Sequence, residues 1–342
     1  MRRIHSLLLV AALALLSACG GGDDPNDPAP DGYRRPLPAP SVTTPTVPAP
    51  KTVATDRVLP RVTGAFGDRP SVTIPEAKPT GNFVVAPLKE GQGPAARPGD
   101  AVVVDYAAVV WRTGRQTAGT YDAGAHPKVF TVGRGAALPA LDQAVRGRRE
   151  GSRVLVVAPP AAAYGTTGNK DLGVSPRDTV VFVVDVVKRI AKSSLVQGRQ
   201  AAVPPKLPAV RTDSTDGSAA IAVPDRAAPK TLMVRELVTG TGPVIKAGST
   251  AVLQHSSAAW EGQTGRDKAA LFMSSSADGA PLVTTTGRGN LLPAWDRALT
   301  GRHAGTRLLI VIPATMAYGA HPPRGVPANA AVVSVVDVLG VV

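Results

Sequence analysis

Cysteine occurs once, at Cys19, in a chain of 342 residues, which excludes an intrachain disulfide, a Cys-based zinc cluster and a Cys-x-x-Cys redox pair. Aromatic residues are only 4%, so Ala, Val and Leu must fill any core. The five histidines form no His-Glu-x-x-His pair, and there is no phosphate-loop lysine. No apolar run approaches the ~20 residues that a membrane-spanning helix needs. Acidic residues are outnumbered, 25 Asp+Glu against 38 Lys+Arg, for a net charge of +13. What is present is a 44% hydrophobic chain long enough for about two domains. Gly and Pro, 35 and 33, supply about a fifth of it and imply long loops or linkers.

In a cytosolic protein the basic charge would suggest nucleic acid as a partner. The N-terminus argues otherwise: Arg2 and Arg3 precede an apolar run over 7–16 and then small residues, the layout of a secretory signal peptide. That run ends Leu16-Ser17-Ala18-Cys19-Gly20, which resembles the lipobox of bacterial lipoproteins, and the only cysteine stands at the cleavage position. The resemblance implies a signal peptide over 1–18 and a lipidated Cys19. The protein is then expected outside the cytoplasm, lipid-anchored to the bacterial cell membrane, with no nucleic acid partner. Thirteen of the prolines fall between residues 21 and 80, which favours an extended polyproline tether. We assign 19–63 to the lipidated Cys and this tether, and 193–213, also polar and Pro-rich, to a linker.

Self-comparison reveals a repeat. Ile74-Pro75, Gly91-Gln92-Gly93-Pro94 and Trp111 recur as Val223-Pro224, Gly240-Thr241-Gly242-Pro243 and Trp260. Gly133-Arg134-Gly135, Leu138-Pro139-Ala140 and Ala163-Tyr164-Gly165 recur as Gly287-Arg288-Gly289, Leu292-Pro293-Ala294 and Ala317-Tyr318-Gly319, and Val184-Asp185-Val186 as Val336-Asp337-Val338. A period near 150 residues is too long for a solenoid, so two similar domains are expected, 64–192 and 214–342.

Within the first copy, Val- and Leu-rich runs bounded by Gly, Pro or Asp predict strands over 83–88, 101–111, 152–158 and 179–190. Leu138, Leu141 and Val145, and in the second copy Leu292, Trp295 and Leu299, share one face of a short helix that Gly147 or Gly301 stops. A short helix laid on an antiparallel sheet is an α+β fold.

The order of these motifs resembles the FKBP family of peptidyl-prolyl cis-trans isomerases. The resemblance rests on Gly-x-Gly-Pro, then Lys-Ala-Gly at 246–248, Phe272-Met273-Ser274-Ser275, the stretch from Gly287 to Asp296, Ile312-Pro313, Ala317-Tyr318-Gly319 and Val326-Pro327. It implies two domains, each an antiparallel sheet wrapped on one short helix, with an aromatic pocket that accepts proline-containing polypeptides. It implies no cofactor and no metal. In the second copy it carries over Phe272 and Val326 as walls, Leu291 and Leu292 beside the helix start, Trp295 as floor and Tyr318 as hydroxyl donor. The Leu292 backbone N–H would meet the substrate carbonyl. Read alone, Leu291, Leu292 and Val326 are ordinary core residues.

Both copies depart from the family pattern. Phe272-Met273 stands where the family has Phe-Asp, His255 where it has a strand Tyr, and Ser334 where it has Phe on the last strand. In the first copy Tyr106, Phe130, Leu138, Tyr164 and Phe182 agree, Leu141 replaces the floor Trp, and Lys128 replaces a pocket Phe. The Phe-Asp position there is Thr117-Ala118 without a gap. With the gap moved it is Tyr121-Asp122, which is preferred because it restores an aromatic and an acid. His126 and His321 read as solvated loop residues. Gly133-x-Gly135 and Gly287-x-Gly289 lack the third glycine of a nucleotide fingerprint. The functional expectation is an isomerase that assists folding of exported proteins; the alternative is a binding or chaperone module of weak activity. Retention of Trp295 and Tyr318 favours the first, and the missing acid at Met273 favours the second. No nucleophile motif supports a hydrolase.

Overall fold

A computed structural model describes residues 50–213 and 215–342. The expected signal peptide, Cys19 and residues 19–49 of the tether lie outside the described residues. Among the described residues no helix is long and apolar enough to cross a membrane.

The first repeat opens with three short strands, β1 (Thr52–Val53), β2 (Arg61–Thr63) and β3 (Ser71–Thr73). The expected runs follow as β4 (Phe83–Lys89), β5 (Ala101–Val110), β8 (Arg153–Ala158) and β9 (Val180–Ile190). Between them lie β6 (Gln116–Gly119), β7 (Lys128–Thr131) and helix α1 (Pro139–Val145). The sheet order is β1-β4-β8-β9-β5-β6, with β7 also paired to β5. All its pairs are antiparallel except β1 with β4. The second repeat contains β10 (Ala209–Thr212), β11 (Ala219–Ala222), β12 (Met233–Val238), β13 (Thr250–Ala259) and β14 (Leu271–Ser274). After the one-turn helix α2 (Ser275–Asp278) come β15 (Leu282–Thr285), α3 (Pro293–Leu299), β16 (Arg307–Ile312) and β17 (Val332–Val341). Its order, β12-β16-β17-β13-β14 with β15 on β13, reproduces the first sheet without an equivalent of β1.

Side chains alternate between the faces of a strand, and each sheet is buried on both. In the first domain Val154, Val156, Phe182 and Val184 pack with Ala140, Leu141 and Val145 of α1. From the opposite face Leu155, Val157, Val181 and Val183 pack against Val62 and Val72 of the β2–β3 hairpin. The second domain repeats this reverse cover, with Val210 and Ile221 of the β10–β11 hairpin packed on Leu309, Val311, Val333 and Val335.

These hairpins correct the expected boundaries. The segment expected as a linker, 193–213, buries Leu207 and Val210 in the second core, and the last part of the expected tether carries β1 and β2. A buried ion pair fastens each cover. Arg153 and Asp185, 2.7 Å apart and 3% and 0% exposed, are neighbours in register across β8 and β9. Arg153 donates to the Gly64 and Asp68 carbonyls, and Asp185 accepts from the Gly67 N–H. In the second domain Arg307 and Asp337 meet at 2.6 Å. Asp337 accepts from the Val196 N–H, and Arg307 donates to Thr212. The indole N–H groups of Trp111 and Trp260 bond the Ala77 and Arg226 carbonyls just beyond each hairpin. Each repeat unit is therefore a hairpin plus a sheet, longer at its N-terminal end than the motifs alone suggested.

Candidate proline pockets on the helix side of each sheet

Close backbone approaches and turns explain the glycine motifs. A Cβ at Gly91 would stand 2.1 Å from the Glu150 carbonyl oxygen, and one at Gly240 would stand 2.4 Å from that of Ala304. Only glycine fits there. Gly133 and Gly287 adopt positive φ of 75° and 69°, and their N–H groups donate to Asp142 of α1 and Asp296 of α3. The Gly-Arg-Gly loops thus bind to helices α1 and α3. Pro139 and Pro293, at the first helical position, need no N–H partner.

In the second domain Trp295, 3% exposed, projects from α3 onto the sheet. Its indole N–H donates to Ser334 Oγ at 3.3 Å, and Ser334 shares a 2.9 Å hydrogen bond with Ser257. His255 meets the indole edge-on, with ring centroids 5.6 Å apart. Burial pushes the imidazole down to about 4, so it is neutral at pH 7, and its Nδ1 has no partner among the described residues. Phe272 and Tyr318 stand edge to face at 6.0 Å and pack with Val326, Ala259 and Ala330. Burial raises the Tyr318 pKa, which keeps its hydroxyl a donor. Leu291 and Leu292 are buried at the start of α3. The side chains expected at this site thus fall in two groups, Trp295 with His255 and Ser334, and Phe272 with Tyr318 and Val326.

In the first domain Leu141 lies in the core with Phe130 and Phe182, and Tyr106, Leu138 and Tyr164 pack against them half-buried. Tyr106 and Phe182 rings are 6.3 Å apart and tilted by 44°. Burial and the neighbouring Tyr106 push the Tyr164 pKa up to about 12. Val174 is buried in the same cluster. Lys128 is exposed.

The preferred register of the first copy is overturned. Tyr121 donates its hydroxyl to Asp185 at 2.7 Å, which places it on the hairpin side of the sheet, and Asp122 pairs with Arg69 at the exposed rim. Strand pairing decides the matter, because Ala118 opposes Ala108 on β5 as Met273 opposes Ser257 on β13. Thr117-Ala118 therefore corresponds to Phe272-Met273, and neither copy has a carboxylate at that place. His126 and His321 are exposed, and among the described residues no cluster of His, Cys, Asp or Glu could hold a metal ion. Sequence reasoning missed Ser257 as the partner of Ser334. It also missed the two Arg–Asp pairs, although the repeated Val-Asp-Val was a signal for them.

Two repeated domains, each a mostly antiparallel sheet with a short helix packed on one face and a hairpin on the other, define the class. The profile of FKBP-type peptidyl-prolyl cis-trans isomerases matches residues 93–187 and 252–339. The chain belongs to that family. An FK506-binding protein of Streptomyces anulatus is 32% identical over 120 residues, 35% of this chain and 96% of that protein. The chloroplastic peptidyl-prolyl cis-trans isomerase FKBP16-4 of Arabidopsis thaliana is 35% identical over 107 residues, 29% of this chain and 45% of that protein. FK506-binding protein 3 of Kluyveromyces lactis is 32% identical over 98 residues, with only 22% of its length covered. Among solved structures, the three FKBP domains of wheat FKBP73 align over 75% of this chain and 94% of that one, at 20% identity and a TM-score of 0.31.

Proposed function

We propose that the pocket of the second domain binds a proline ring of an exported polypeptide and accelerates its cis-trans interconversion, with the protein held at the membrane surface through a lipidated Cys19. The observation that carries this reading is the buried Trp295, held edge-on by His255 and bonded to Ser334, in the domain that also keeps the edge-to-face Phe272–Tyr318 pair. Rotation about the prolyl amide crosses a barrier of ~18–20 kcal/mol because resonance is lost at the twisted geometry. The twisted amide is less dipolar than the planar one, so a dry apolar site favours it over bulk water, and a donor on the carbonyl adds binding specific to that state. Tyr318 Oη and the Leu292 N–H are the donors we assign. No nucleophile, general base or metal takes part.

The second reading, a binding or chaperone module, is favoured by the absence of a carboxylate at Met273 and, with the corrected register, at Ala118. Isomerisation of a succinylated Ala-Leu-Pro-Phe peptide by the full chain separates the two. The proposal expects acceleration that Trp295→Leu largely removes and that Tyr318→Phe reduces with little loss of stability. Binding of the peptide without acceleration supports the module instead.

A further inference from the structure

We propose that Ser334 is a positioning residue of the second pocket: it fixes the rotation of the Trp295 indole and so sets the face that a proline ring meets. This inference rests on the pocket reading given above. An indole offers a single donor and no acceptor, and its second side-chain torsion is broad and roughly two-fold rather than tightly staggered. The torsion alone therefore leaves the ring two ways to lie. The 3.3 Å bond to Ser334 Oγ distinguishes them. Ser334 and Ser257 are both fully buried, so water does not compete, and their 2.9 Å bond anchors the acceptor to the neighbouring strand β13. His255 supplies only an edge contact to the indole.

The first domain provides the contrast. Leu141 has no polar handle, and Phe182 stands where the second domain has Ser334. Orientation there comes from packed aromatic rings, not from a hydrogen bond.

The test labels the full chain with ¹⁵N at the tryptophan indoles and follows three Nε1–H resonances during titration with the succinylated Ala-Leu-Pro-Phe peptide. Trp295 is identified by its loss in Trp295→Leu. Trp111 and Trp260 serve as internal controls, because their N–H groups are held by carbonyls beyond the hairpins on the reverse face. The expected result is that the Trp295 signal moves with peptide. Ser334→Ala should shift its starting position and weaken peptide affinity and kcat/KM by about three- to tenfold, while Ser334→Thr, which keeps the acceptor, stays within about twofold of wild type. If Ser334→Ala does not fold, Ser334→Thr against the similarly shaped Ser334→Val makes the same comparison.

A purely structural role would lower Tm without changing affinity per folded molecule. That outcome, or equal impairment by Thr and the acceptor-free variant, overturns the proposal alone. A Trp295 signal in the wild type that ignores the peptide overturns the pocket reading and the proposal with it.

Discussion

The two helix–sheet interfaces distribute their bulk in opposite ways. In the first domain the helix contributes the small Leu141 and the strands contribute the large Tyr106 and Phe182. In the second the helix contributes the large Trp295, and the strands the smaller His255 and Ser334. Interiors pack at nearly constant density, so a large group gained on one wall must be offset on the facing one. The difference teaches that the pocket residues vary as a set. It also shows that Trp295 and Ser334 carry polar atoms where the first domain has the apolar Leu141 and Phe182, and that His255 replaces the Tyr106 hydroxyl with an imidazole, which adds a dependence on hydrogen bonding and on pH.

The largest effect expected is on the domain boundaries. A 193–342 fragment should unfold cooperatively, whereas 214–342, which lacks Leu207, Val210 and β10, should not. Each buried Leu or Val contributes roughly 1.5–3 kcal/mol, and Asp337 would lose its Val196 partner as well. Urea denaturation followed by circular dichroism decides this, and equal cooperativity of both fragments would show the hairpin to be dispensable.

Next come the ion pairs. Asp185→Ala or Asp337→Ala leaves a buried guanidinium unpaired, at a cost of about 3–5 kcal/mol. The loss should be greater at Asp185, which also accepts from Gly67 and Tyr121. Limited proteolysis should then cut near residues 64–68 in the first variant and near 195–212 in the second.

The third comparison is acid sensitivity. His255 is neutral in the fold with its pKa lowered from 6.5 to about 4. The unfolded chain therefore binds a proton that the folded one refuses as pH falls. Its contribution is fully present above pH 6.5, declines between 6.5 and about 4, and amounts to roughly 3 kcal/mol. The first domain has Tyr106 at this place and lacks that step. Thermal melts of the full chain at pH 7, 5.5 and 4.5 should show the second domain melting progressively earlier, and His255→Gln should abolish that difference.

The smallest effect sharpens the exchange of bulk itself. Trp295→Leu should cost about 2 kcal/mol through the space it leaves. Adding Ser334→Phe, which recreates the first domain's pair, should recover part of that loss. A double variant less stable than Trp295→Leu alone would mean that the two pockets are not packed as equivalents.

The long strands were legible as near-continuous apolar runs, as in 101–110, and helices α1 and α3 because each carries apolar residues in period, as at Leu292, Trp295 and Leu299. The hairpins were not. Arg61–Thr63 and Ser71–Thr73 offer one valine each, and burial came from tertiary contact instead of pattern. The recurrence of Leu59-Pro60 as Leu207-Pro208 was the available clue. The register of the first copy went astray because chemical likeness was weighed above spacing. An acid at Asp122 looked right, but Tyr121 and Asp122 lie beyond the end of β6 at Gly119, where the chain leaves the strand and reaches Asp185 and Arg69 instead. The polar chain beneath Trp295 was half visible: Ser334 stood out as a departure, yet Ser257 became meaningful only once strand pairing set the two hydroxyls side by side.

Lys192 has one further consequence. Its N–H donates to Asp100 of the first domain and its carbonyl accepts from Gln254 of the second, within the five residues 191–195 that separate β9 from Val196. Even with every contact between the domains released, so short a connection reaches only about 20 Å at full extension. The two domains are therefore joined with almost no slack. On the proposed reading extended to both domains, a flexible polypeptide with two prolines that engages one domain would meet the other at an effective concentration on the order of millimolar, and lengthening the connection after Lys192 would dilute that advantage.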